Sequence, residues 1–148
     1  MFLWYGTHQK RFNLGVTSMN EEKEHKHHDE LVSGLYEQLR PVMEHSAQGM
    51  YLYLDDAHNI FNDQMAKMLG YSSGAEMKKK ADDSPLDAFI EVKSHKAVVN
   101  AFRNAMEKMA GATISVTLKK KSGGKITKKM ILIPISYHGH LFALHFLY

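Results

Sequence analysis

YLYLDDAHNIFNDQMAKMLGY, residues Tyr51–Tyr71, changes its periodicity twice within one short stretch. Met50 to Leu54 is apolar and aromatic, and too short for a core helix, so it reads as a strand. Asp55-Asp56-Ala57-His58-Asn59 has the composition of a turn, because Asn and Asp side chains bond their own backbone. Ile60-Phe61 is a second short strand. Asn62 or Asp63 can then cap a helix by accepting an orphan backbone N–H. Met65, Met68 and Leu69 share one face of that helix, and Gly70 supplies its stop. A strand, a turn, a strand and a helix this close together start a sheet and at once fold a helix across it.

Upstream, Leu31, Leu35, Leu39 and Val42 recur at helical spacing, which predicts an amphipathic helix over 28–44 with Pro41 near its end. Glu21 to Glu30 (EEKEHKHHDE) holds no apolar residue. Residues 1–27 are therefore expected to be irregular or flexible. Downstream, two short helical pieces lead to a long one over Val92–Met109, with Gly111 expected to end it. Ala112, Ile114, Val116 and Leu118 then alternate with Thr113, Ser115 and Thr117, the period of a half-buried strand. Ser122-Gly123-Gly124 is a hairpin turn. Ile126–Tyr137 and Leu141–Tyr148 complete a meander. The run Met130–Ile135 suggests burial on both faces, and Pro134 requires a bulge or an edge position. Two strands before the helices and three after them make an α+β fold: a five-stranded antiparallel sheet, helices on one face, and an N-terminal helical extension.

The chain has 148 residues and no cysteine, which excludes disulfides and thiolate chemistry. Residues 109–148 contain six lysines and no acid; the first 108 carry 13 basic and 16 acidic residues. The C-terminal part is thus a basic module on a slightly acidic body. No apolar run reaches the ~20 residues of a membrane span. Met1–Tyr5 is too short for a signal h-region. A cytoplasmic protein without membrane contact is expected.

The order of motifs resembles the PAS domain over about residues 38–148. The first strand ends in an acid, Asp55 or Asp56; Asn62 opens the next helix; Gly70-Tyr71 closes it, followed by Ser72-Ser73. Ala75-Glu76-Met77 matches the next helix, and Lys119-Lys-Lys-Ser-Gly-Gly-Lys125 matches the basic hairpin. Val92-Lys93-Ser94-His95 stands where such sequences usually carry His-Pro-x-Asp. The resemblance implies a PAS-like domain over 45–148 and a stand-alone sensory or protein-interaction module of signal transduction, not an enzyme. It also implies a volume between helices and sheet that holds a ligand or packs shut.

Methionines fill irregular gaps and adapt to ligand shape. The expected ligand-binding residues are Met65, Met68, Phe102 and Met106 on the helices, with Tyr51, Tyr53, Ile114, Val116 and Phe142 opposite. The cofactor is unknown. A covalent chromophore is excluded by the lack of cysteine. Haem is not expected: His95 is the one histidine on the long helix, about a turn before the family's ligand position, and Ala101 stands where a propionate-binding Arg is needed. His25, His27 and His28 with Asp29 and Glu30 have metal-ligand types, but no second shell is visible in that segment, so no metal is expected. Leu31, Leu35 and Leu39 need cover, and a homodimer through that helix and the uncovered sheet face is expected. A separate signalling partner is the other output. A ligand-free dimerisation scaffold remains open. So does a small nucleic-acid-binding protein using the 119–129 hairpin, although that hairpin has no aromatic stacking platform and nucleic acid is not expected.

Overall fold

The computed structural model describes residues 16–148, with side chains from residue 19 onward. The expectation of an irregular start at residues 1–15 lies outside the described residues. A long helix α1 (Val16–His45) precedes β1 (Gly49–Asp55) and β2 (His58–Phe61). Helices α2 (Asp63–Leu69), α3 (Gly74–Ala81), α4 (Pro85–Phe89) and α5 (Val92–Lys108) follow, and β3 (Ala112–Lys119), β4 (Lys125–Tyr137) and β5 (His140–Leu147) close the chain. The strands form one antiparallel sheet in the order β2-β1-β5-β4-β3.

Local chemistry places the helices. Asn62 caps α2 by accepting from the Met65 N–H, and Gly70 ends it with φ 85°. Ser73 caps α3 and Ser84 caps α4, with Pro85 pre-set for the first turn. A Cβ at Gly74 would lie 1.9 Å from the Phe61 carbonyl oxygen, so only glycine lets α3 start this close to β2. Helix α5 stops at Lys108, with Met109 in the left-handed region, two residues before the glycine expected to end it.

The sheet carries a core on each face. On one side Tyr51, Tyr53, Val116, Leu118, Met130, Leu132 and Leu147 pack against residues of α2 to α5 such as Met65, Leu69, Phe89 and Phe102. On the other, Met50, Leu52, Phe142 and Leu144 pack against Leu31, Val32, Leu35 and Met43 of α1. Helices therefore lie on both faces, and the N-terminal extension is the second cover.

Helix α1 is longer than the expected 28–44, because residues 16–27 continue it. Its first half is mostly exposed and has little apolar periodicity. What holds it is polar: His28 meets Asp55 at the end of β1, and Asp29 lies beside His58. The second half is held by burial of Leu31, Val32, Leu35 and Met43, each worth roughly 1.5–3 kcal/mol. The stripe expected to pair with a second copy is thus covered within the chain: Leu31 and Leu35 are buried, and Leu39 is half-buried beside them.

Strand β4 alternates and is not buried on both faces: Met130 and Leu132 are buried, while Ile133 is 38% exposed. Its register with β3 ends at Leu132, so Pro134 pairs only with Ala143 of β5 and lacks a ladder partner on its other side. The missing N–H costs nothing there.

Candidate functional site

Between the sheet and helices α4 and α5 lies a cavity of about 40 Å3. Tyr51 and Tyr53 of β1, with His145 of β5, form its floor; Met65 and Phe61 flank it; Phe89, Val98, Val99 and Phe102 roof it. The floor follows from register. Tyr51 is the Cα partner of His145 and Tyr53 of Ala143, so these residues share a face, while Met50, Leu52 and Leu144 turn to the opposite one. Tyr51 and His145 stack at 3.8 Å between ring centroids, 5° from parallel. Tyr53 meets the edge of Phe102 at 5.5 Å, and Phe61 meets Phe89 at 5.4 Å. Aromatic rings form the floor and share the roof with aliphatic side chains, so the wall is largely apolar.

Two polar groups interrupt it. His145 is 2% exposed and its Nδ1 lies 3.4 Å from the Tyr51 carbonyl oxygen. Burial pushes its imidazole down to about 3, so the ring is neutral at physiological pH. Asp56 accepts a 2.5 Å hydrogen bond from the Tyr53 hydroxyl. Burial, with smaller contributions from neighbouring carboxylates, raises the Asp56 carboxyl above its ordinary range. Burial, reinforced by the Asp56 charge, raises the Tyr53 phenol, which stays a donor. The cavity thus offers aromatic surface and very few polar handles.

A second polar cluster lies at the C-terminal end of β1, where α1 crosses the β1–β2 turn. Asp55 Oδ1 accepts from the Ala57 N–H at 3.0 Å, the Asx-type bond expected of a turn aspartate. The same carboxylate also meets His58 Nδ1 at 2.6 Å and His28 Nδ1 at 2.8 Å. Burial raises the Asp55 carboxyl, but the hydrogen bonds and charges of His58 and His28 outweigh it and leave the group below its usual range. Beside it, His25, Asp29 and His58 each bring a ligand-type atom within 4.8 Å of the others. The sequence reading found His25, His28 and Asp29 but not their partners, because Asp55 and His58 come from another element.

Neither a protein-family model nor a curated protein matches the chain. Solved structures do. A PAS domain from Colwellia psychrerythraea superposes with a TM-score of 0.61 at 15% identity, covering 77% of this chain and 95% of that one. A PAS domain from a two-component sensor histidine kinase gives 0.57 at 14%, covering 78% and 97%. The PAS domain of an HTR-like protein from Haloarcula marismortui gives 0.56 at 12%, covering 83% and 98%. The fold is the PAS fold.

Of the residues expected to bind a ligand in this PAS fold, Tyr51, Tyr53, Met65 and Phe102 line the cavity. Met68, Met106 and Ile114 are half-buried against the surrounding core, and Val116 is buried within it. Phe142 is a correction: it pairs with Ile135 and faces α1, on the far side of the sheet. Phe61, Phe89, Val98 and His145 were missed. Val98, Val99 and Phe102 share one helical face, and that was the signal available for the two valines.

His95 Nε2 donates to the Ile90 carbonyl at 2.7 Å, so that nitrogen is occupied in a turn at the start of α5. The basic hairpin is partly paired off: Lys121 Nζ is 2.6 Å from Glu76 and Lys125 Nζ 2.9 Å from Glu91. Among the described residues no helix is long and apolar enough to cross a membrane.

Proposed function

We propose that the chain is a cytoplasmic, non-enzymatic sensory module of signal transduction, reading its input in the aromatic cavity and passing it through the sheet to α1. One observation carries this reading. Alternate residues of β1 and β5 serve both sides: Tyr51, Tyr53 and His145 floor the cavity, while Met50, Leu52 and Leu144 hold α1. A shift of either strand on one side displaces contacts on the other, because packed cores transmit strain.

The ligand class that fits is small and aromatic or apolar. A cavity of about 40 Å3 is well below the roughly 300–1,000 Å3 of drug-sized ligand sites. A larger ligand therefore needs α4, a helix of five residues, to swing outward with the start of α5. The output surface is α1 together with the strip of outer sheet face it leaves open, where Ile133 is exposed. A second copy or a separate signalling protein docks there. The small volume also favours a second reading, a ligand-free interaction module. Native mass spectrometry of freshly purified protein separates them. A retained small molecule, lost on denaturation, supports the sensor; a bare polypeptide mass from several expression hosts supports the ligand-free module.

A further inference from the structure

We infer that His25, Asp29 and His58 form a site for a divalent transition-metal ion, Zn2+ fitting best, with Asp55 as the positioning residue behind His58. The inference is independent of what the cavity holds.

It starts from an unsatisfied atom. His58 is 4% exposed, and its Nε2 has no hydrogen-bond partner. Its Nδ1 lies 2.6 Å from Asp55 Oδ1. An ionised carboxylate only accepts, so Nδ1 carries the proton; the metal-binding form is the neutral ring, whose Nε2 presents a lone pair. That lone pair faces Asp29 Oδ1 at 3.6 Å, another acceptor, beyond hydrogen-bond length. The other oxygen of Asp29 is 3.5 Å from His25 Nε2, and the His25 and His58 rings are 4.5 Å apart. In that form two imidazole nitrogens and a carboxylate oxygen converge, which is the donor set of a cation site.

The spacing suits a small tetrahedral ion. At Zn–N and Zn–O lengths near 2.0–2.1 Å, tetrahedral ligands stand about 3.3–3.4 Å apart. The observed 3.5 and 3.6 Å run to the two oxygens of Asp29, and one ligand atom from each of the three residues lies within 4.8 Å of the others, so a rotation of the exposed Asp29 carboxylate and a contraction of the cluster bring them to that spacing. Two imidazoles and a carboxylate suit Zn2+, Co2+, Ni2+ or Cu2+, whereas Ca2+ and Mg2+ take oxygen ligands. A histidine ligand whose other nitrogen donates to a carboxylate is the usual outer-shell arrangement of such sites. His28 Nδ1, 2.8 Å from the second Asp55 oxygen, braces that carboxylate. His25 and Asp29 are both 57% exposed, so an ion reaches the site and a water completes its shell. A bound ion would tie α1 to the β1–β2 turn and stiffen the half of the helix that has few apolar anchors.

The test uses the full chain, stripped with chelator and titrated with Zn2+ by calorimetry and with Co2+ by visible absorption. The expected result is one ion per chain at micromolar concentration and a raised unfolding midpoint. His25→Ala and Asp29→Asn alter exposed side chains and leave the fold intact; each is expected to weaken binding at least tenfold and to abolish the midpoint shift. Asp55→Asn is expected to weaken binding about 10–100-fold with the stoichiometry unchanged. His27→Ala is expected to leave binding as it was. Absence of binding by the stripped chain, unchanged affinity in both His25→Ala and Asp29→Asn, or an equal loss in His27→Ala overturns the site.

Discussion

Tyr51 and His145 face each other across the β1–β5 pair with their rings stacked at 3.8 Å. That cross-strand pair closes the cavity floor and puts a titratable ring where water does not reach. The native imidazole titrates at about 3, against roughly 6.5 in an unfolded chain. Above pH 6.5 neither state is protonated and His145 adds no pH dependence. Between 6.5 and about 3 the unfolded chain binds a proton that the native state refuses, so stability falls as pH falls. The slope reaches up to about 1.4 kcal/mol per pH unit. Urea denaturation at pH 7, 6 and 5 measures it. His145→Phe, which keeps an aromatic ring beside Tyr51, is expected to flatten the curve by close to one proton.

Asn62 joins three elements. Its Oδ1 accepts from the Met50 and Met65 N–H groups at 2.9 Å each, and its Nδ2 donates to the Met43 and Gln48 carbonyls at 3.0 and 3.1 Å. Asn62→Ala is expected to cost about 3 kcal/mol by chemical denaturation, more than a lost cap, because buried groups on α1 and β1 lose their partner. Asn62→Asp separates the roles. Aspartate is a good cap but cannot donate, so it should fail to restore stability; full rescue by Asp would reduce Asn62 to a cap.

Leu35 is 4% exposed beneath α1. Leu35→Ala is expected to lower stability by about 2–5 kcal/mol and to leave the sedimentation mass unchanged. A halved mass with little loss of stability would instead place Leu35 between two copies.

The strand-turn-strand-helix start, the final meander and the Asn62 cap were legible because each rests on local chemistry: alternation, turn composition and a capping side chain. Pro134, expected to need a bulge or an edge position, lies on a strand between two others but past the end of β3, so that it is unpaired on that side. What was not legible depends on contacts far apart in sequence. Phe142 was assigned to the cavity because parity within β5 does not say which face meets Tyr51; the register Tyr51 to His145 decides it. The first half of α1 has no apolar period to announce it, and its anchors come from Asp55 and His58. For the same reason His25 and Asp29 looked like a solvated helix face until β2 brought His58 against them.

The coupling of cavity to N-terminal helix is tested most directly by amide hydrogen exchange over Leu31–Met43, comparing the wild type with Val98→Phe and the milder Val98→Ile, both checked for native circular dichroism. Val98 lines the cavity and has no place in the α1 core. The account predicts that filling the cavity changes exchange in β1, in β5 and in Leu31–Met43 on the opposite face of the sheet, more for Phe than for Ile. Changes confined to α4 and α5, with Leu31–Met43 exchanging as in the wild type, would contradict it.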